Sequence, residues 1–290
     1  MRLLKPSFEI YEQGPGLEGI YGAIERAGRT CYKSTRPEGQ TAKDFVDRMV
    51  ASQHYAMLEH GTVCLKIPTT YIDISTELDI PIISDKVLKY QNNSYSKVVI
   101  WDNTTDPFYS YITTNYRVLV ENGWLDDLKF LCEPTEFHEK RVTVKFTTDR
   151  GVSHEFVRHR VFSFAQESTR YCNYSKDKFG NEITFIIPSL GYNKAATYNG
   201  IDEFDGDYFE HFLRDSESYY FKLLELGWKP QQARQVLPNA LKTELVMTGF
   251  VADWQHFFDL RARGTTGAPH PDAKALAEPL MNEFINRNLI

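Results

Sequence analysis

Apolar residues recur at three- and four-residue spacing through LEGIYGAIERAGRTCY (17–32), which predicts an early helix. Thr41, with Asp44 three residues on, makes a capping-box-like start to TAKDFVDRMVASQ and predicts a second. TVCLKIPTTYI (62–72) and KRVTVKFTTD (140–149) are rich in β-branched residues and alternate, so both are expected as strands, paired with each other. Residues 76–139 between them mix helical, strand and turn signals and read as an inserted elaboration. Within it a helix is expected over YSYITTNYRVLVENG (109–123), stopped by Gly123.

Further on, VSHEFVRHR (152–160) reads as a short helix and 172–203 as turn-rich, irregular chain. A long amphipathic helix is expected over DYFEHFLRDSESYYFKLLELG (207–227), and a short one in PQQARQVLP with Pro230 near its start. TELVMTGFV reads as a buried strand, ADWQHFFDLRAR as a helix, and HPDAKALAEPLMNEFINRN as a closing helix. The pattern shows no repeat or linker. It predicts one α/β (α+β) domain over 1–290, a mainly antiparallel central sheet flanked by helices, with the insertion between two strands.

Composition narrows the functional classes. With 33 Lys+Arg against 39 Asp+Glu, the chain carries a formal charge of −6, which argues against nucleic-acid or membrane-surface binding. Cys31, Cys64, Cys132 and Cys172 form no C-x-x-C pair, so neither a zinc ribbon nor a disulfide framework is suggested. Free thiols, no signal-like N-terminal run and no segment of membrane-spanning length together lead us to expect a cytoplasmic protein.

Against that acidic background, RHRVFSFAQESTRY (158–171) gathers Arg158, Arg160 and Arg170 around His159, Gln166, Ser163 and Ser168. Guanidinium forks suit phosphate and carboxylate, and the hydroxyls add short donors, so a small anionic ligand is the favoured partner. A solvated turn with salt bridges is the plainer reading, weakened by Phe162, Phe164 and Tyr171, which are expected to hold the loop on a core. His154 and His159 stand five apart, not the four of a helical zinc site. Ser168 lacks a G-x-S-x-G elbow, which favours a donor over a nucleophile. A serine hydrolase and a non-catalytic nucleotide- or RNA-binding protein are the rival classes. Glu59-His60 before a strand, and Arg234 and Arg261 in apolar stretches, are further candidates, since an arginine there needs an anion or carbonyl acceptors.

Arg158-His159-Arg160, seven residues and Ser168, continuing Thr169-Arg170-Tyr171, resemble the signature of the flavin-dependent thymidylate synthase family. RAGRTCY near the start, LEHG (58–61), ARQVLP (233–238) and HFFDLR (256–261) extend the likeness in order. The resemblance implies reductive methylation of dUMP to dTMP, with FAD, NADPH and methylenetetrahydrofolate, in a homotetramer with shared sites. It implies FAD contacts from His60, Arg158, His159, Arg160, Gln166 and His256, and from Thr62 of a neighbouring subunit. dUMP would meet Glu155, Arg158, Gln166, Ser168, Arg170, Arg234 and Arg261, the last beside the uracil ring. Arg261 and Ser168 are the catalytic candidates. Many members carry Asn-x-Arg where this chain has Phe250-Val251-Ala252, and a glutamine where it has Glu155.

Overall fold

The computed structural model describes residues 1–69, 85–101, 108–177, 180–189, 192, 194–198 and 201–290. The chain begins with β1 (Arg2–Leu4), β2 (Ser7–Tyr11), α1 (Gly16–Tyr32) and α2 (Ala42–Ala51). The Thr41–Asp44 capping box is formed at the start of α2. A 3₁₀ turn over Tyr55–His60 leads into β3 (Thr62–Thr69), followed by α3 (Asp85–Gln91), β4 (Lys97–Trp101), β5 (Phe108–Asn115) and α4 (Tyr116–Glu121). Residues 70–72 of the expected first strand, and 76–84 and 102–107 of the expected insertion, lie outside the described residues.

The central sheet is made by β2, β6 (Arg141–Asp149), β7 (Ser163–Gln166) and β11 (Lys242–Phe250), in the order β2-β6-β11-β7. Every neighbouring pair in it is antiparallel. Alternation along β6 and β11 gives the sheet two faces. Val142, Val144, Phe146, Leu245 and Met247 point into a core closed by α5 (Arg150–Phe156), α8 (Val251–Phe258) and α9 (Pro271–Asn286). On the opposite face Val246 and Ala165 pack on Ala27 of α1, with Cys31 and Met57 beside them.

The expected pairing of the two long strands is wrong. Both edges of β6 are taken, by β2 and β11, so β3 pairs with β5 and β5 with β4 in a separate three-stranded sheet. Residues 109–115, expected as helix, are strand because they pair antiparallel with Thr62–Pro68 of β3, and helix starts only after Asn115 caps Val118. The second sheet has its own core, with Val63, Leu65, Ile112 and Leu119 packed on α1, α2 and α3. Between 172 and 203 the chain is more regular than expected. β8 (Thr184–Ile186) runs parallel to β1, and β9 (Ala195–Tyr198) forms a hairpin with β10 (Ile201–Phe204). α6 (Asp205–Glu225) and α7 (Pro230–Ala233) follow as expected, α6 ending at Gly227 with φ 91°.

Gly249 of β11 carries the ring of Phe162, whose buried side chain anchors the Arg158–Arg160 turn. A Cβ there would lie 2.6 Å from the ring, and Trp254, at a centroid distance of 4.7 Å, closes the other side. Gly249→Ala is therefore expected to cost about 1–3 kcal/mol of stability. Urea denaturation of the two proteins measures this, and an unchanged midpoint would show that the ring moves freely.

Candidate functional site

The arginine-rich segment is two sites joined by a strand. Asp149 caps α5 by accepting from the Val152 N–H at 2.8 Å, and the helix ends at Phe156. Two tight turns follow, with His159 N–H on the Phe156 carbonyl and Phe162 N–H on that of His159, both at 3.1 Å. They leave Arg158 and Arg160 exposed and bury His159 between them. Neither arginine forms an ion pair or side-chain hydrogen bond among the described residues. His159 instead accepts at Nε2 from Arg261 Nε at 3.1 Å. Arg261 also donates to the Glu155 carboxylate at 2.6 Å and to its carbonyl at 2.8 Å. His256 and Phe257 of α8 flank the His159 ring at 6.1 and 5.1 Å. Burial, then the charge of Arg261 and the nearby His256, push His159 down to about 4, so its ring is neutral. A π-helical turn over Asp259–Arg263 ends α8 and alters the direction in which Arg261 leaves the helix.

The second group stands at the other end of β7. Gln166 closes the strand, its Nε2 donating to Ser153 at 2.8 Å and Thr243 at 3.3 Å. Ser168 is fixed by its N–H on the Cys31 carbonyl at 3.0 Å, and its Oγ accepts the Arg170 N–H at 3.3 Å. Arg234 reaches Thr169 Oγ1 at 2.9 Å, and the exposed Arg170 guanidinium lies 5.0 Å from the Tyr171 ring centre. Sequence reasoning missed what lies between Gln166 and Ser168. Glu167 turns inward, nearly fully buried, to Lys242 at 2.7 Å, and Lys242, Glu244 and Lys33 extend the pair into a four-charge cluster. The one signal was a glutamate between two outward-facing polar residues in an extended segment.

The third group lies on the α1 face of the sheet. His60 is buried, with Nδ1 2.8 Å from Thr248 Oγ1, which is 2.8 Å from Thr143 Oγ1. Burial and then the Arg141 charge push His60 down to about 3. Thr62 accepts at Oγ1 from Arg141 at 3.2 Å.

Two expectations change. Arg158, Arg160 and Arg170 do not share one loop, because β7 is about 10 Å long and holds the two ends of the motif apart. His159 is accordingly no base for Ser168. Of the aromatic anchors, Phe162 is buried and Phe164 half-buried, but Tyr171 is 53% exposed and packs on Tyr32 instead of a core.

A family profile described as Thymidylate synthase complementing protein matches residues 110–287, more than half of the chain. The chain belongs to this family. Among its relatives is a probable flavin-dependent thymidylate synthase of Paramecium bursaria Chlorella virus 1, 29% identical over 153 residues, 51% of this chain and 69% of that protein. The flavin-dependent thymidylate synthase of Geobacter sulfurreducens is 33% identical over 112 residues, 39% of this chain and 43% of that protein. That of Sulfurisphaera tokodaii is 34% identical over 112 residues, 39% of this chain and 38% of that protein. The chain thus spans less than half the length of these two cellular relatives. A solved UMP/dUMP methylase from Streptomyces cacaoi, bound with 5-Br dUMP, aligns over 99% of this chain and 93% of its own at 14% identity. Its TM-score of 0.44 is too low to carry an argument about the site.

In this member of the thymidylate synthase complementing protein family, burial holds His60, His138 and His159 below the ordinary histidine value. Unfolded, they protonate near 6.5, so from there downward the unfolded chain binds more protons and stability falls. The urea midpoint is expected to drop between pH 7 and 5, and His159→Gln to make that drop shallower. A midpoint constant over this window would contradict the burial of the three rings.

Proposed function

We propose that this chain converts dUMP to dTMP, with methylenetetrahydrofolate as carbon donor and FAD reduced by NADPH as the hydride source. The supporting observation is the pair of cationic groups at the two ends of β7, set in an acidic chain. At one end Arg158 and Arg160 offer donors that no other described residue uses, which suits the diphosphate of FAD. At the other, Ser168, Arg170 and Arg234 offer a hydroxyl and two guanidinium groups to a nucleotide phosphate, with Gln166 as a further nucleotide contact there and Glu155, beside Arg261 at the first end, as another. His60, Thr62 and His256 are the remaining flavin candidates. Phe250 and Ala252 add no polar side chain where other members have asparagine and arginine, and Phe250 is buried.

His60 and Thr62 lie on the α1 face, away from His159 and Arg261. Half-sites so divided support completion of each site by other copies of the chain in a homotetramer. FAD, when bound, supplies the hydride. The chain supplies orientation and charge: Arg261 stabilises negative charge on the uracil ring, raising electron density at the carbon that is methylated. Among the described residues no side chain is hydrogen-bonded to Ser168 Oγ, which supports a donor role and a route without an enzyme nucleophile.

Arg261→Lys keeps the charge but loses the planar fork, so dTMP formation should fall by at least tenfold while flavin stays bound and NADPH still reduces it. Normal turnover at saturating dUMP would refute the activating role. Ser168→Ala should weaken dUMP binding by about 1.5–3 kcal/mol and leave measurable turnover. Abolished turnover with unchanged dUMP affinity would instead mark a nucleophile. A protein that binds dUMP and FAD but never forms dTMP would favour the non-catalytic nucleotide-binding reading.

A further inference from the structure

A cavity of about 340 Å³ lies where β2 ends, between the first turn of α1, the start of β6 and the segment 131–140. That volume is at the lower end of the roughly 300–1,000 Å³ usual for small-molecule sites. It is remote from the Ser168 group. Ser168 is fixed to the Cys31 carbonyl at the far end of α1, and a 17-residue helix is about 24 Å long. Arg261 and Glu155 are not among the residues that line the cavity.

Arg141 lines this cavity in an unusual state. Its two terminal nitrogens donate to neutral acceptors, Thr62 Oγ1 at 3.2 Å and the Glu59 carbonyl at 3.1 Å. Its Nε is buried with no hydrogen-bond partner. No carboxylate lies within 4.0 Å of the guanidinium among the described residues, and Glu59 spends its own on Arg117 at 2.5 Å. Burial depresses Arg141 to about 10. A part-buried guanidinium whose charge partners, Glu59 and Asp253, stand beyond contact is costly, and one anionic oxygen at Nε would supply both the missing bond and a nearer counter-charge.

The surroundings narrow the ligand. α1 starts at the cavity, its first N–H, that of Gly16, taken by the Glu133 carboxylate and not by a residue preceding the helix. Glu133, on the Gly16 N–H at 2.9 Å, and Glu12, tied to Arg287 at 2.6 Å, stand at the walls and disfavour a doubly charged phosphate. Ile10, Ile20, Leu131 and Leu289 supply an apolar remainder.

We propose that this cavity binds a small organic acid, its single carboxylate on Arg141 and its apolar body against Ile10, Ile20, Leu131 and Leu289. The cavity shares Thr62 with the proposed flavin contacts but is lined by no other residue assigned there to dUMP or FAD, and it does not depend on the chain's being a dTMP-forming enzyme.

Titration calorimetry and ligand-observed NMR on the full chain test this with phenylacetate, phenylacetamide and inorganic phosphate as probes. Saturable phenylacetate binding is expected, at least tenfold weaker for the amide and for Arg141→Gln, and undiminished by dUMP plus FAD. Leu131→Trp fills the apolar part, leaves the guanidinium in place, and should abolish binding; it decides the matter alone if Arg141→Gln does not fold. The proposal fails if phenylacetate does not bind, if the amide binds equally well or phosphate binds better, or if FAD or dUMP displaces the acid. It fails too if binding survives Leu131→Trp. None of these readouts involves dTMP, so they stand apart from the outcome of the turnover assays.

Discussion

Residues 163–166 are hydrogen-bonded along β11 from Thr248 to Leu245, and that pairing decides where every candidate residue stands. An extended segment cannot fold its own ends together. Pinned to the central sheet, it sends the Arg158–Arg160 turn to one end and Ser168–Arg170 to the other. β11 is itself paired on its other side with β6, so this spacer cannot slip without moving each inward-facing side chain to the wrong face. The distribution of positive charge is thus a consequence of strand register.

Each end handles its charge differently. At the first, a neutral buried imidazole separates two exposed guanidinium groups, and the third arginine, Arg261, is held by Glu155. At the second, the outward donors rest on an inward cluster of two lysines and two glutamates, in which each charge has an opposite partner. Such a cluster adds little net stability, because desolvation offsets most of the Coulomb attraction. Its effect is to fix the backbone of Glu167, and with it the direction of Gln166 and Ser168.

Much of this was legible in the chain. Helical periodicity located α1, α2, α6 and α9, and β-branched alternation located β3 and β6, because these signals are local. The partner of a strand is not local, and nothing in 62–69 or 141–149 says which edges are already occupied. Residues 109–115 misled for a related reason. Their aromatic and hydroxyl side chains suit either period, and only pairing with β3 decides between them. The motif identified the candidate residues but not the distance between its halves, since SFAQ reads as loop until its hydrogen bonds to β11 are known. Arg141 gave no signal at all: an arginine at a strand start is ordinary until its Nε is found without a partner.

The chain of hydroxyls from His60 through Thr248 to Thr143 has a mechanical meaning beyond any ligand. His60 ends a 3₁₀ turn whose Leu58 belongs to the core of the three-stranded sheet, whereas Thr248 and Thr143 belong to the central one. Separating the two cores would break the His60–Thr248 bond, the link of this chain that joins them, worth about 0.5–1.5 kcal/mol net. Two sheets with separate hydrophobic cores are thereby tied by a buried polar contact that is lost when either unfolds, which couples the opening of β3 to that of β11.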